Sequence, residues 1–412
     1  MKFKEKVSHL ECDTCARRFA PQEVELTCPD CGPDLGTLTV RYHYDKIKAV
    51  LTPEALAGNR EPSHWRYLDI LPVSGRPESL HPRVGWTPLY HLPKLGLGNL
   101  WIKDDGVNPS ASFKDRASSV GVARAVEEKR AVITAASTGN AASSVSLFAA
   151  CAKMRAVIFV PETAPQAKVA QLLIFGAEVL AVRGTYDQAF DLCLQTALER
   201  GWYCRNTAVN PYLGEGKKTA ALEICEQLGF DPPDRVFVSV GDGCIIGGLW
   251  KGFCDFKKLG LIDRLPRLYG VQAAGSAPLV KAFEKGEKVA APLRQASTCA
   301  DSICVGQPRD HIKALRAVYE SGGGMLAVED DEILAAMRDL ARRAGIFAEP
   351  AGAAGFAGLC RLVSEGGIDP QERVVVLVTG NGLKDVQTAI SAVDRKPVPV
   401  DANVEAVRSV LK

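Results

Sequence analysis

The sequence predicts an α/β fold in which parallel strands are covered by helices, with a small cysteine-stapled module in front. Three observations carry that prediction. Short β-branched runs at 100–103, 131–134, 156–160, 178–182, 202–206, 235–240, 268–272 and 374–378 alternate with helical patterns, the rhythm of strands joined by crossover helices. The runs at 236–240 (VFVSV) and 374–378 (VVVLV) are apolar on both faces, as strands buried between two helix layers must be. Near the N-terminus, Cys12, Cys15, Cys28 and Cys31 form C-x2-C-x12-C-x2-C.

The front module comes first in the chain. Each cysteine pair can bend as a tight knuckle that turns two thiolates onto one tetrahedral ion. Pro29 and Gly32 flank the second knuckle, and 37–44 (TLTVRYHY) alternates like a strand, so residues 1–45 read as a zinc ribbon. About forty residues cannot hold a core without such a staple. Because all four ligands come from the protein, no position is open for catalysis, and Zn2+ is expected to be structural. The other nine of the thirteen cysteines stand singly in apolar segments and read as small core residues. The six histidines show neither metal-ligand nor nucleophile–base spacing.

Composition narrows the partners. Lys+Arg number 50 and Asp+Glu 48, a net charge of +2 over 412 residues, which leaves no electrostatic footprint for nucleic acid or an anionic membrane. Residues 1–10 alternate charges with single apolar residues and lack the apolar run of a signal peptide. The longest uncharged stretch, 131–152, is rich in Ala and Ser and interrupted by polar residues. A soluble protein of the reducing cytoplasm is expected.

Ligands of parallel α/β folds bind beyond the carboxyl ends of the strands, so the residues after each run matter most. Segment 108–116 (NPSASFKDR) leads into a helix expected at 115–130, with Lys114 at its start. A lysine there opposes the helix dipole, and partial burial favours the neutral amine that Schiff-base chemistry requires; a solvated surface lysine is the other reading. Ser137, Thr138, Gly139 and Asn140 open a helix expected at 141–152, as a seat for a carboxylate or as plain N-capping. Gly241, Asp242, Gly243, Cys244 and Ile245 follow 235–240 with glycine amides that can close on a phosphate, although the Gly-Lys-Ser/Thr of a nucleotide loop is absent. Thr379 opens 379–385 (TGNGLKD) and could make one hydrogen bond, or the segment is an ordinary turn. A lysine, a carboxylate seat, a phosphate cradle and a lone hydroxyl together describe pyridoxal 5'-phosphate beside an amino-acid substrate.

The motifs NPSASFKDRAS, ASTGNAASS, EGKKTAALEI, GIFAEPAGAA and TGNGLKD, with the glycine loop, resemble the threonine synthases among the tryptophan-synthase-β-like (fold type II) pyridoxal phosphate enzymes. The likeness runs from the cysteine cluster to Asp385. It implies two three-layer αβα domains: a large cofactor domain of residues 46–130 and 229–412, and a small mobile domain, 131–228, that closes on substrate. It also implies a homodimer. Lys114 would carry the cofactor, Asn140 contact its phenolic oxygen, Gly241 to Ile245 wrap its phosphate and Thr379 face its pyridine nitrogen. Ser137 and Thr138 would hold the substrate carboxylate. The freed Lys114 amine would then remove the Cα proton before a β or γ leaving group departs. Threonine synthases convert O-phosphohomoserine and water to threonine and phosphate. The related ammonia-lyases of threonine and serine, β-replacement enzymes, and a non-catalytic amino-acid-binding homologue are the alternatives.

One departure bears on that choice. Many threonine synthases read like NSVNPxRLEG before the lysine-threonine pair, with an Arg that grips the substrate phosphate. Here 206–216 reads NTAVNPYLGEG, which puts Leu213 at the Arg position and Ala208 at the Ser position. Loss of a bidentate Arg removes about 1.5–3 kcal/mol of charge-assisted bonding, for which Lys217 or Arg205 would have to substitute. The GDGCIIGG pattern of the glycine loop also leans toward the dehydratases.

Overall fold

The computed structural model describes residues 1–412 except Pro165, Asp394, Lys396 and Lys412. Strands β1 (Val7–Cys12), β2 (Arg18–Phe19) and β3 (Leu38–Tyr42) pair antiparallel in the order β2-β1-β3. The body adds β4 (Leu89–His91), β5 (Leu100–Asp104), β6 (Val132–Ala136), β7 (Arg155–Pro161), β8 (Glu178–Val182), β9 (Tyr203–Cys204), β10 (Arg235–Ser239), β11 (Arg267–Ala273), β12 (Gly324–Val328) and β13 (Val374–Val378). Six of them make one sheet in the order β12-β11-β10-β13-β5-β4, parallel except for β4. The other four make a parallel sheet in the order β8-β7-β6-β9.

The α/β rhythm is therefore present, with two strands added. β4 is only three residues long and follows Pro88, and β12 follows Gly322 and Gly323, so both segments read as turn sequence. Both are sheet edges, where little burial is needed to hold a strand. β13 and β10 are buried throughout, and both lie inside the large sheet. At the far end, the helix expected over 401–412 is Val404–Val410, with Lys412 outside the described residues. Among the described residues no helix is long and apolar enough to cross a membrane.

The N-terminal module does not have a core of its own. Leu10, Val40 and Tyr42 share one buried cluster with Leu249, Phe253 and Phe256 of the body. The Tyr42 hydroxyl donates to Glu215 Oε2 at 2.7 Å and that of Tyr44 to Asp255 Oδ1 at 2.7 Å. Lys218 lies between those two carboxylates at 2.5 and 2.8 Å. A three-stranded sheet too small to bury a core thus borrows one, and its polar edge is fixed by charge-assisted bonds.

Candidate active site

The segments after β5, β6, β10 and β13 converge on one cavity of about 430 Å³, beyond the carboxyl ends of both sheets. Lys114, Ser137, Thr138, Asn140, Gly241, Asp242, Gly243, Cys244, Ile245 and Thr379 all line it. The segments lock one another in place. Phe113 N–H donates to the Thr379 carbonyl at 2.8 Å, Asn381 N–H to Ala111 at 3.0 Å, and Glu349 N–H to Gly380 at 3.0 Å.

Lys114 is the first residue of the Lys114–Glu127 helix and is half-buried at the cavity wall. Burial, with Lys217 and Arg205 nearby, holds its pKa below the usual lysine value, which favours the free amine. Two helix N-termini face the same space. Gly139 precedes the Asn140–Cys151 helix and Gly243 the Cys244–Leu259 helix, and no side chain caps either one, so the first amides of both are available to an anion. Gly243 has φ +94°, and a Cβ there would lie 2.6 Å from Ala314 Cβ, so only glycine fits this turn. Asp242 is anchored from behind, its carbonyl accepting from Asp310 N–H at 2.9 Å and its carboxylate from Arg309 N–H at 3.2 Å. Cys244 offers a backbone amide at this loop; burial pushes its thiol up to about 12, which keeps it un-ionised.

Two wall residues, Glu349 and Ser302, carried no site assignment from sequence. Glu349, 4% exposed, accepts from Asn140 Nδ2 at 2.8 Å and so ties the two sheets together across the cavity. Burial, only partly offset by Lys114 and Lys384, pushes its carboxyl up to about 7. The signal was a carboxylate directly before Pro350 at a helix start, where a capping role is the ordinary expectation, yet its side chain caps nothing. Ser302 lies 3.4 Å from Asn140 Nδ2. Arg205 and Lys217 line the cavity, whereas Leu213 does not: its Cδ2 would lie 2.9 Å from a Cβ on Gly121, which places it in packing against the Lys114 helix. Leu213 itself therefore contributes nothing to the cavity wall.

These residues fit pyridoxal phosphate. A depressed lysine amine, a glycine turn that no other residue can occupy, an uncapped helix N-terminus and Lys217 on the same wall supply what an aldehyde and a phosphate require. At the other end of the molecule the ligand atoms of Cys12, Cys15, Cys28 and Cys31 all lie within 4.8 Å of one another, a donor set suited to one tetrahedral ion.

The chain matches the family model described as "Pyridoxal-phosphate dependent enzyme" over residues 80–380. It is 41% identical over 406 residues to a threonine synthase of Methanocaldococcus jannaschii, covering 97% of this chain and 98% of that one. It is also 41% identical to a threonine synthase of Methanosarcina acetivorans, over 98% of each. Among solved structures, the processed threonine deaminase isoform 2 of Solanum lycopersicum aligns with a TM-score of 0.64 and 25% identity over 75% of this chain and 87% of that one. A diaminopropionate ammonia lyase of Escherichia coli, at 18% identity, shares the fold with a TM-score of 0.64 over 90% and 94%.

Proposed function

The chain belongs to the pyridoxal-phosphate dependent enzymes, among the threonine synthases, and from that premise we propose how its residues turn O-phosphohomoserine and water into threonine and phosphate. One observation carries the reading: Lys114, with its amine form favoured, stands in a cavity where two uncapped helix N-termini and two further cations await anions. An amino acid with a phosphorylated side chain, together with a phosphorylated cofactor, brings three anionic groups.

The N-terminus of the Cys244–Leu259 helix, the Gly241–Ile245 turn and Lys217 would hold the cofactor phosphate, Asn140 its phenolic oxygen and Thr379 its ring nitrogen. When bound, pyridoxal phosphate supplies the electron sink that makes the substrate's Cα and Cβ hydrogens acidic. Ser137, Thr138 and the amides at the start of the Asn140–Cys151 helix seat the α-carboxylate. Lys114 takes the Cα proton as its neutral amine and returns protons to the carbon chain. In the net change Cγ exchanges phosphate for hydrogen, and Cβ exchanges hydrogen for the hydroxyl of water. A hydroxyl at pyridine nitrogen suits this chemistry beyond Cα better than a carboxylate would.

Residues 131–228, built on the four-stranded sheet, act as the small domain whose closure keeps water out until Cβ is ready for it. Zn2+ on Cys12, Cys15, Cys28 and Cys31 stiffens the ribbon that leans on the large domain. The enzyme works in the cytoplasm as a homodimer.

The deciding assay runs phosphate release from O-phosphohomoserine beside keto-acid release from threonine and serine. Threonine and phosphate in equal amounts support the reading. Keto acid alone would make the protein an ammonia-lyase.

A further inference from the structure

Arg205 is a buried cation with nothing to neutralise it. It is 1% exposed and lines the cavity. Its backbone N–H donates to Thr134 at 2.8 Å and its Nε to Ser118 Oγ at 3.2 Å, which fixes the stem between β6 and the Lys114 helix. Its Nη2 has no partner, and among the described residues no carboxylate pairs with it. Burial lowers its pKa to about 10, a sign of how poorly the charge is solvated. Arg309 on the same wall differs: Asp34 and Asp187 take its two terminal nitrogens at 2.9 and 3.0 Å. The wall carboxylates do not serve Arg205 either, since Asp301 pairs with Lys168, Asp242 accepts from Arg309 N–H, and Glu349 accepts from Asn140.

A guanidinium held through one nitrogen, with Nη2 buried and unpartnered, keeps a planar fork for two oxygens of one anion. Of the three anions the proposed reaction brings, two already have seats. The cofactor phosphate has the Gly243–Cys244 helix start and Lys217, whose Cβ would lie 2.7 Å from a Cβ on Gly248 of that helix. The α-carboxylate has the amides that open the Asn140–Cys151 helix. Arg205 is held instead on Ser118, one turn along the helix that Lys114 begins.

We infer that Arg205 receives the side-chain phosphate of the substrate and thereby selects phosphorylated over unphosphorylated amino acids. This rests on the reaction proposed above. The residue acts on the leaving group: as the Cγ–O bond breaks, the bonding pair goes to the phosphate oxygen, which takes up a proton carried by Lys114 and leaves as hydrogen phosphate, while the guanidinium offsets one of its negative charges. Position 213 is not involved, because its side chain is committed to packing at Gly121.

The test uses holoenzyme with Arg205→Met and Arg205→Lys, in phosphate-free buffer. Calorimetry measures binding of an amino acid bearing a side-chain phosphonate and of its phosphonate-free analogue, and absorbance reports retained cofactor. Expected is a loss of about 10- to 100-fold in phosphonate affinity for the Met variant, with partial recovery for Lys. The phosphonate-free analogue and the cofactor band should stay as in the wild type, and the loss in phosphate release should lie mainly in KM. Phosphonate affinity within about threefold of wild type in both variants overturns the inference. Equal losses for both analogues would move Arg205 to the α-carboxylate, and a lost cofactor band to the cofactor, and either also overturns it. The binding arm needs no turnover, so it decides Arg205 even if the wild type fails to release phosphate and the proposed reaction falls.

Discussion

Lys114 and Arg116 stand on the same helix, two positions apart, and face opposite electrostatic worlds. Positions i and i+2 of a helix point to different sides. Arg116 turns into the scaffold, where it meets Asp105 at 2.6 Å and Glu223 at 2.5 Å, while Lys103 meets Glu223 at 2.8 Å; all four side chains are fully buried. Two cations face two anions, and burial alone would raise Glu223, yet Arg116 and Lys103 hold it far below the carboxylate range. Lys114 turns into the cavity, where Arg205 and Lys217 join it and, among the described residues, no carboxylate forms an ion pair with any of the three. Neutralised burial builds the scaffold; burial left un-neutralised marks where a ligand brings the missing charge.

The contrast can be broken first at Lys114. Lys114→Ala should lower turnover about 10⁴-fold, roughly 5.5 kcal/mol in the barrier, and abolish the cofactor's absorbance band. The melting temperature of the cofactor-free protein should not fall, since a buried amine without an ion-pair partner has been removed. Arg116→Met should do the opposite. It leaves buried Asp105 without its cation and Glu223 with Lys103 alone, and costs about 3–5 kcal/mol of unfolding free energy, read by urea titration, before any effect on chemistry.

Glu349 sharpens the comparison from the anionic side, since it too is buried on the cavity wall without an ion pair. Its folded pKa is raised to about 7, so from roughly pH 4.3 up to 7 the folded chain holds a proton that the unfolded chain has lost. Stability must therefore fall as pH rises through that window. Cofactor-free Glu349→Gln should exceed the wild type by about 2 kcal/mol at pH 8, with the gain vanishing near pH 4.5 in paired urea titrations.

Much of this was legible in the sequence where chemistry follows a strand. Lys114, the Ser137–Asn140 seat, the glycine loop and Thr379 all lie just past apolar runs, and the cysteine spacing stands out on its own. What could not be read is pairing. Lys114 and Arg116 are equally plain cations in the sequence, and only the fold sends Asp105 and Glu223 to one of them. Arg205 stood out only as a substitute for an arginine at 213, because its unpartnered Nη2 depends on which carboxylates reach it in space. Leu213 misled for the same reason: its side chain points at Gly121, a contact that no local spacing encodes. β12 was hidden by its glycines, and the shared core of the N-terminal ribbon by distance along the chain.

The most direct test is the stability of Lys217→Met against wild type, measured with and without pyridoxal phosphate in phosphate-free buffer. Lys217 is 2% exposed and serves no scaffold ion pair among the described residues. The variant should be the more stable by about 1 kcal/mol without cofactor and the less stable at saturating cofactor, so that the two orders cross. A variant that is less stable in both conditions, or by the same margin in both, would mean that this buried charge is scaffold after all.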